Sequence, residues 1–195
     1  MQVKSKPELL VIPFSSPTEW EMWLALNYET SAGIWLRFYK KGSGVNTIIY
    51  SEALDTALCY GWIDSQLKTC DEISYLQKFT PRRAGSLWSK RNIGLVERLE
   101  KEGRMKSPGL IAVEAAIADG RWDKAYDSPG KMSAPDDLLE ELKKDQKAFV
   151  FYESLNKTNI YSVAWKLQTA KNPVIREKRL KQILAMMAEG KKFQE

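Results

Sequence analysis

The segment WIDSQLKTCDEISYLQKF, residues 62 to 79, decides the fold because it predicts a β-hairpin. Residues 62 to 68 alternate with the two-residue period of a strand. Residues 73 to 79 form a second strand, and the polar run at 70 to 72 is the turn that joins them in an antiparallel pair. The two sides of the first strand would carry Ile63, Ser65 and Leu67 on one and Trp62, Asp64, Gln66 and Lys68 on the other.

Two further strands are predicted upstream of the hairpin. The segment GIWLRFYKK, residues 33 to 41, also alternates, and GSG at 42 to 44 ends it. One of its faces is apolar, with Ile34, Leu36 and Phe38, and the other is aromatic and cationic, with Trp35, Arg37 and Tyr39. The segment LLVIP, residues 9 to 13, predicts a short buried strand, so the amino-terminal half contains a small mixed or antiparallel sheet.

Two helices are predicted between these strands. The run Ser16-Pro17-Thr18-Glu19 has the N-cap serine, first-turn proline and capping-box glutamate of a helix start. Trp20 and Trp23 lie on one face of that helix and are predicted to pack against the sheet. Ser51 is predicted to cap the second helix, which ends at Gly61, where a left-handed residue is needed.

Beyond Thr80 the sequence favours helices almost throughout, which makes the chain an α+β protein. The predicted organisation is an α+β domain with two trailing helices over residues 1–126, followed by a helical region over residues 134–195. The segment DSPGKMSAP, residues 127 to 135, is the predicted linker. The helices are predicted at 92–103, 107–120, 133–144, 146–155, 160–170 and 172–190.

Composition limits the chemistry of the chain. It has 195 residues, a net charge of +5, two cysteines and no histidine. The absence of histidine excludes Ser-His and Cys-His nucleophiles and removes the commonest zinc ligand. The two cysteines lack metal spacing and are predicted to be free thiols, so we expect no metal and no cofactor. No apolar run approaches the roughly 20 residues that cross a bilayer. We therefore expect a cytoplasmic protein without membrane insertion.

Positive charge is concentrated in the segment FTPRRAGSLWSKRN, residues 79 to 92, which contains no carboxylate. Pro81 would end the hairpin abruptly and present the first two arginines from a turn. The next two cations would precede a helix capped by Asn92, whose N–H groups and dipole favour an anion. The segment predicts an anion pocket, although solvent exposure or ion pairing also explains such a cluster. The predicted ligand-binding residues are Arg82, Arg83, Trp88, Lys90, Arg91 and Asn92.

A second candidate ligand site lies on the predicted sheet. If the strands are neighbours, the row Trp35, Arg37 and Tyr39 and the row Trp62, Asp64 and Lys68 would line one cleft. The alternative is that Trp35 and Trp62 cover the sheet beneath the helices, with Asp64 paired to Arg37. Asp64 is also the best candidate for a general base if the protein is an enzyme, because burial would raise its pKa.

Cys59 is the other candidate for chemistry. It lies near the end of a predicted helix, where the dipole raises a thiol pKa, so a structural role is favoured over a nucleophilic one.

Several ordered motifs resemble the YdeI/OmpD-associated family, also called bacteriocin-protection proteins. The resemblance runs from about residue 15 to residue 193 and implies a link to outer-membrane porins, antimicrobial peptides and stress resistance, with no residue roles attached. In the last motif the family pattern has Glu-Thr before Arg176, whereas this chain has Val174-Ile175. The motifs are GWIDS (61–65), FTPRR (79–83), WSKRN (88–92), EGRM (102–105), DGRWDKAYDSP (119–129) and AKNPVIREKR (170–179).

Four functions remain open at this point. The first is a binding protein for a small anionic ligand or group. Nucleic-acid binding is the second, because residues 78–106 and 171–192 are strongly basic, although the sequence has no established nucleic-acid motif. The third is a protein-interaction module that uses the carboxy-terminal helices, where residues 179–192 combine a basic and an apolar face. The fourth is a small enzyme with a carboxylate base.

Overall fold

The computed structural model of the protein describes residues 8–128 and 131–193. The chain divides into two compact units. Unit 1 contains the described residues through Ser86 together with Asn92–Asp123, and unit 2 contains Leu87–Arg91 and the described residues from Lys124 onward. The predicted α+β class is confirmed, since a mixed sheet lies in the amino-terminal half and helices occur along the rest of the chain. The assignment of residues 87 to 91 to unit 2 was not predicted.

The sheet of unit 1 has four strands in the order β1-β2-β4-β3. β1 runs parallel to β2, whereas β2, β4 and β3 pair antiparallel, so the predicted hairpin is confirmed. β2 buries one face and leaves the other half-buried, as its alternation predicts. The strands are β1 (Val11–Pro13), β2 (Ile34–Tyr39), β3 (Trp62–Thr69) and β4 (Ser74–Pro81).

The first strand is less buried than its sequence predicts. Leu10 and Val11 are 67% and 49% exposed. β1 lies at the edge of the sheet and pairs with β2 alone, so one of its sides has no neighbouring strand. The prediction of a buried strand at residues 9 to 13 is therefore wrong about burial, because apolar composition does not distinguish an edge strand from a central one.

A register shift in β3 places Asp64 and Lys68 on opposite faces of the sheet. Asp64 lies opposite Phe79, whereas Lys68 lies opposite Leu76, and the shift falls between Asp64 and Leu67. Phe79 and Leu76 are three residues apart, so their side chains point to opposite faces. The predicted common side for Asp64 and Lys68 is wrong, because one extra residue in a strand reverses the alternation beyond it.

Both amino-terminal helices pack on the face that carries Phe79. α1 (Pro17–Asn27) begins as predicted, with the Ser16 hydroxyl accepting the backbone N–H of Glu19 at 3.3 Å. α2 (Tyr50–Cys59) begins earlier than predicted, so Ser51 lies inside the helix and is not its cap. The Glu52 carboxylate accepts the Ile49 N–H at 3.2 Å instead. Gly61 follows α2 with φ +70°, as predicted.

An aromatic cluster forms the core between these helices and the sheet. Trp20, Trp62 and Phe79 are at most 1% exposed, and Trp20 contacts both of the others edge to face. Trp23 stacks on Trp20 at 5.4 Å, which confirms the predicted packing of both tryptophans. The indole N–H of Trp20 donates to the Ala53 carbonyl at 3.0 Å, so the ring is buried without losing its hydrogen bond.

Two more helices, α3 (Lys90–Lys101) and α4 (Ser107–Ala118), follow the sheet. The start of α4 packs directly on the end of α2. A Cβ atom on Gly109 would lie 2.3 Å from the Cys59 carbonyl oxygen, so only glycine fits this approach.

Unit 2 has an apolar core of its own. Asn172 caps its last helix by accepting the Ile175 N–H at 2.8 Å, and Pro173 occupies the first turn. The core includes Leu138, Leu142, Val163, Leu167, Ile183 and Met187. Its helices are α5 (Asp136–Leu142), α6 (Gln146–Glu153), α7 (Lys157–Gln168) and α8 (Pro173–Ala188).

Candidate anion-binding site

The face of the sheet opposite α1 and α2 carries a group of aromatic and cationic side chains, here called the cationic face. β2 contributes the half-buried row that the sequence predicts, and the antiparallel register places Lys78 directly opposite Trp35. Lys68 reaches the same face from β3 because of the register shift. The cationic face consists of Trp35, Arg37, Tyr39, Lys68 and Lys78.

Two ammonium groups converge on one indole ring at this face. The Nζ atoms of Lys68 and Lys78 lie 4.2 and 5.8 Å from the ring centroid of Trp35. Lys68 is exposed and Lys78 is half-buried. Across residues 8–128 and 131–193, neither lysine forms an ion pair with a carboxylate. Their positive charge therefore remains available to a ligand, and their interaction with the ring is weak enough to exchange.

Arg37 continues the row next to these lysines. Its Nε donates to the Ser74 hydroxyl at 3.0 Å, and its guanidinium forms an ion pair with Asp71. The guanidinium carbon also lies 4.9 Å from the ring centroid of Tyr39. Hydrogen bonds from Ser74 and Ile73, together with the charge of Arg37, lower the pKa of Asp71. The predicted pair between Asp64 and Arg37 is wrong, because the strand pairing and the turn bring Asp71 to Arg37.

Asp64 lies on the helix-covered face, away from the cationic face. Its carboxylate accepts the Tyr50 hydroxyl at 2.9 Å and the Gln77 amide at 3.4 Å. These contacts connect β3 to the start of α2 and to β4, and the side chain is half-buried. A role for Asp64 as a general base stays a prediction.

Trp62 also departs from the predicted cleft. It is 1% exposed, packs in the aromatic core, and donates its indole N–H to the Tyr28 carbonyl at 3.2 Å. This position matches the alternative interpretation, in which Trp62 covers the sheet beneath the helices. Trp35 belongs to the opposite face, so the two predicted rows do not line one cleft.

The arginines at 82 and 83 lie in unit 1. The backbone N–H of Arg82 donates to the Gly61 carbonyl at 2.9 Å, and that of Arg83 donates to the Ser86 hydroxyl at 3.0 Å. Arg121 holds the same turn by donating to the Ser86 carbonyl at 2.8 Å. The motifs FTPRR and DGRW are thus joined within unit 1.

The start of α3 differs from the prediction. The helix begins at Lys90, so Asn92 lies in its first turn and is not its cap. In unit 2, the Lys90 N–H donates to the Tyr126 carbonyl at 2.9 Å, and its ammonium pairs with Asp127 at 2.7 Å. Trp88 is buried and Arg91 is exposed. Convergence of Arg82, Arg83, Lys90 and Arg91 on one anion stays a prediction.

Sequence reasoning missed Lys78, which completes the pair of ammonium groups at Trp35. The missing signal was the strand register, since Lys78 becomes a neighbour of Trp35 only when β4 pairs with β2. Once the order of strands is known, residues opposite one another on the same face are fixed by the pleat.

Cys59 has the environment of a structural thiol. It is 3% exposed, and burial raises the pKa of its thiol to about 11. The side chain is therefore protonated at neutral pH and is a poor nucleophile. Cys70 is exposed, and both thiols are free, as predicted.

The described residues contain neither a metal-binding cluster nor a membrane span. Within the part of the chain that the structure describes, no three side chains of His, Cys, Asp or Glu are grouped to hold a metal ion. Over the same residues, no helix combines the length and the apolar character that a bilayer crossing requires.

Two family models match different parts of the chain. The model described as "Bacteriocin-protection, YdeI or OmpD-Associated" matches residues 131–190. Residues 131–190, less than half of the chain, are thus similar to the YdeI/OmpD-associated family, as the motifs predict. The model of a domain of unknown function (DUF8412) matches residues 12–112, more than half of the chain, and the chain belongs to that domain family. No curated protein and no solved structure matches the chain.

The YdeI/OmpD-associated region coincides with the helices of unit 2, where its motif arginines hold helices together. Arg176 forms two hydrogen bonds with Asp137 of α5 at 2.5 and 2.9 Å. Arg179 donates to the Lys166 carbonyl of α7 at 2.6 Å. The cationic face lies instead within the residues that the domain of unknown function covers.

Proposed function

We propose that this protein binds a small anionic ligand with a planar ring at the cationic face. The observation that carries the proposal is the pair of lysines at Trp35, which no described carboxylate neutralises. Four of the sequence-predicted ligand residues, Trp35, Arg37, Tyr39 and Lys68, lie on this face. The name of the YdeI/OmpD-associated family supports a role for such binding in bacteriocin protection.

The chemistry of the face favours a ligand that has both a ring and a negative charge. A planar ring stacks on the half-buried indole of Trp35 when the Lys68 ammonium moves off it. The released ammonium and that of Lys78 then pair with the ligand's anionic group, which makes charge-assisted hydrogen bonds. An anion without a ring pairs with the lysines but cannot stack on Trp35. A neutral ring stacks on Trp35 but cannot pair with the lysines.

A titration with pyranine, a fluorescent planar trisulfonate, tests the proposal. We expect saturable one-to-one binding, and we expect adenosine monophosphate to compete better than either ribose 5-phosphate or adenosine. Replacing both lysines, Lys68→Gln with Lys78→Gln, should weaken pyranine binding about tenfold, since each exposed charge contact is worth up to about 1 kcal/mol.

The matched control removes two positive charges elsewhere. Lys101 and Lys143 are exposed and form no ion pair among the described residues. Lys101→Gln with Lys143→Gln should leave the affinity within about twofold, because neither lysine belongs to the cationic face. Equal losses in the two double variants, or no binding by the parent protein, would show that the cationic face is not a ligand site.

A further inference from the structure

We infer that the ring and the anionic group bound at the cationic face belong to nucleotides within single-stranded nucleic acid, with bases stacked on Trp35 and Tyr39 and phosphates held between them. This inference rests on the proposed function and names its ligand class. It follows from the linear arrangement of the face, which a ligand with one ring would use only at one end.

The row along β2 alternates ring, cation and ring. Trp35, Arg37 and Tyr39 are alternate residues of one strand, so they share a face. At about 3.3 Å per residue, the Cα atoms of Trp35 and Tyr39 lie roughly 13 Å apart. An extended strand of nucleic acid repeats a base and a phosphate along its length, so it presents the same alternation to the face. A mononucleotide, in contrast, can contact only one of the two rings and the lysines beside it.

The charges of the face suit a short run of phosphates. Lys68 and Lys78 lie at the Trp35 end, and Arg37 lies between the two rings. Arg37 shares its charge with Asp71, so the net charge of the group is about +2. Two or three phosphate contacts with a single strand give a slope of log K against log[salt] between about −1.4 and −2.1. The affinity is therefore predicted to fall only moderately as the salt concentration rises, because it depends on stacking as well as on charge.

The architecture of unit 1 also favours unpaired bases. The helices α1 and α2 pack on one face of a four-stranded sheet, and the aromatic residues of the cationic face lie on the other. Sheet platforms with this division bind single-stranded RNA by stacking bases on exposed rings. In a duplex the bases are already stacked on one another, so their flat surfaces cannot reach Trp35 or Tyr39.

Fluorescence anisotropy with a labelled oligothymidylate of about 12 nucleotides tests the inference, since this length lies within the usual site range. We expect the oligomer to bind at least tenfold more tightly than thymidine monophosphate and at least tenfold more tightly than its duplex with oligoadenylate. An oligouridylate of equal length distinguishes the source, and tight binding of either the DNA or the RNA oligomer supports the inference.

The variant Tyr39→Ala separates the oligomer from a small ligand. It should lower oligothymidylate affinity at least five times more than it lowers thymidine monophosphate affinity, because the oligomer uses both rings and the monophosphate uses one end of the row. Tyr161→Ala in α7, a half-buried tyrosine in the other unit, is the matched control and should change neither affinity.

Three results overturn the inference in distinguishable ways. Equal affinity for the monophosphate and the oligomer, with no effect of Tyr39→Ala, leaves the proposed small-anion site standing and removes nucleic acid as its ligand. Equal affinity for duplex and single strand shows phosphate attraction without base stacking. Failure of both pyranine and the oligomer to bind removes the proposed function together with the inference.

Discussion

The two faces of the sheet in unit 1 use tryptophan in opposite ways. Trp62 is almost completely buried, packs edge to face on Trp20, and donates its N–H to a backbone carbonyl. Trp35 is half-buried and has two ammonium groups as its neighbours. The same side chain therefore stabilises the fold on one face and offers a binding surface on the other. The difference lies in the residues that the neighbouring strands and helices place beside each ring.

The largest expected effect is on stability and separates the two tryptophans. Trp62→Ala should lower the free energy of unfolding by about 3–5 kcal/mol, because it leaves a cavity in a closely packed core. Trp35→Ala should cost less, about 1–2 kcal/mol, since that side chain is only partly buried in the folded state. Urea denaturation of both variants measures the contrast. Equal losses of unfolding free energy in the two variants would mean that the cationic face is as closely packed as the face that carries Trp62.

The second prediction concerns the close packing of α4 on the end of α2. Gly109→Ala should destabilise the protein by about 1–3 kcal/mol, because the new methyl group meets the Cys59 carbonyl. Gly94→Ala, in α3, is the matched control: a Cβ there meets no atom within 4 Å. That control should stabilise the protein by about 0.5–1 kcal/mol, as alanine favours a helix over glycine. Thermal melts of both variants check the two signs, and destabilisation by both would contradict this packing.

A third and smaller effect is the pH dependence that the buried thiol of Cys59 gives to the free energy of unfolding. Burial raises the pKa of this thiol from 9.0 to about 11. The folded state therefore holds the proton more tightly than the unfolded state. The stabilisation that comes with the neutral thiol is complete below pH 9 and is lost as the pH rises from about 9 to about 11. The loss reaches about 2 kcal/mol at pH 11, where half of the folded thiol is still protonated, because one pKa unit corresponds to about 1.4 kcal/mol.

Urea denaturation of the parent and of Cys59→Ala between pH 8 and pH 11 measures this effect together with its influence on two neighbours, because the charge of Cys59 also contributes to the raised pKa values of Tyr60 and Lys106. The parent should lose more stability over that interval than the variant. Parallel curves would show that the thiol is not held neutral by burial. Thiol labelling at pH 8 gives a second readout, in which Cys70 reacts readily and Cys59 reacts slowly.

Local sequence signals predicted much of this fold. The alternation in residues 34 to 39 predicted the two faces of β2, and the polar run at 70 to 72 predicted the hairpin turn. Ser16 and Pro17 predicted where α1 begins. Each of these depends on neighbours in the chain, so a single sequence contains the necessary information.

Pairing between distant residues was harder to predict. The register shift in β3 reversed the faces of Asp64 and Lys68, and no residue type near it marks its position. The order β1-β2-β4-β3 brought Lys78 beside Trp35 and Asp71 beside Arg37, which local periodicity cannot specify. The candidate site was therefore predicted in its β2 row and in Lys68, and its remaining residues required the strand order.

The indole N–H signals of Trp35 and Trp62 in a two-dimensional NMR spectrum test the account most directly. Trp35→Phe and Trp62→Phe assign the two signals, and adenosine monophosphate is the titrant. We expect the Trp35 signal and the backbone amide signals of Lys68 and Lys78 to shift in a saturable way, while the Trp62 signal stays in place. A saturable shift of Trp62 with Trp35 unmoved, or no shift in either, would contradict the assignment of ligand binding to the cationic face.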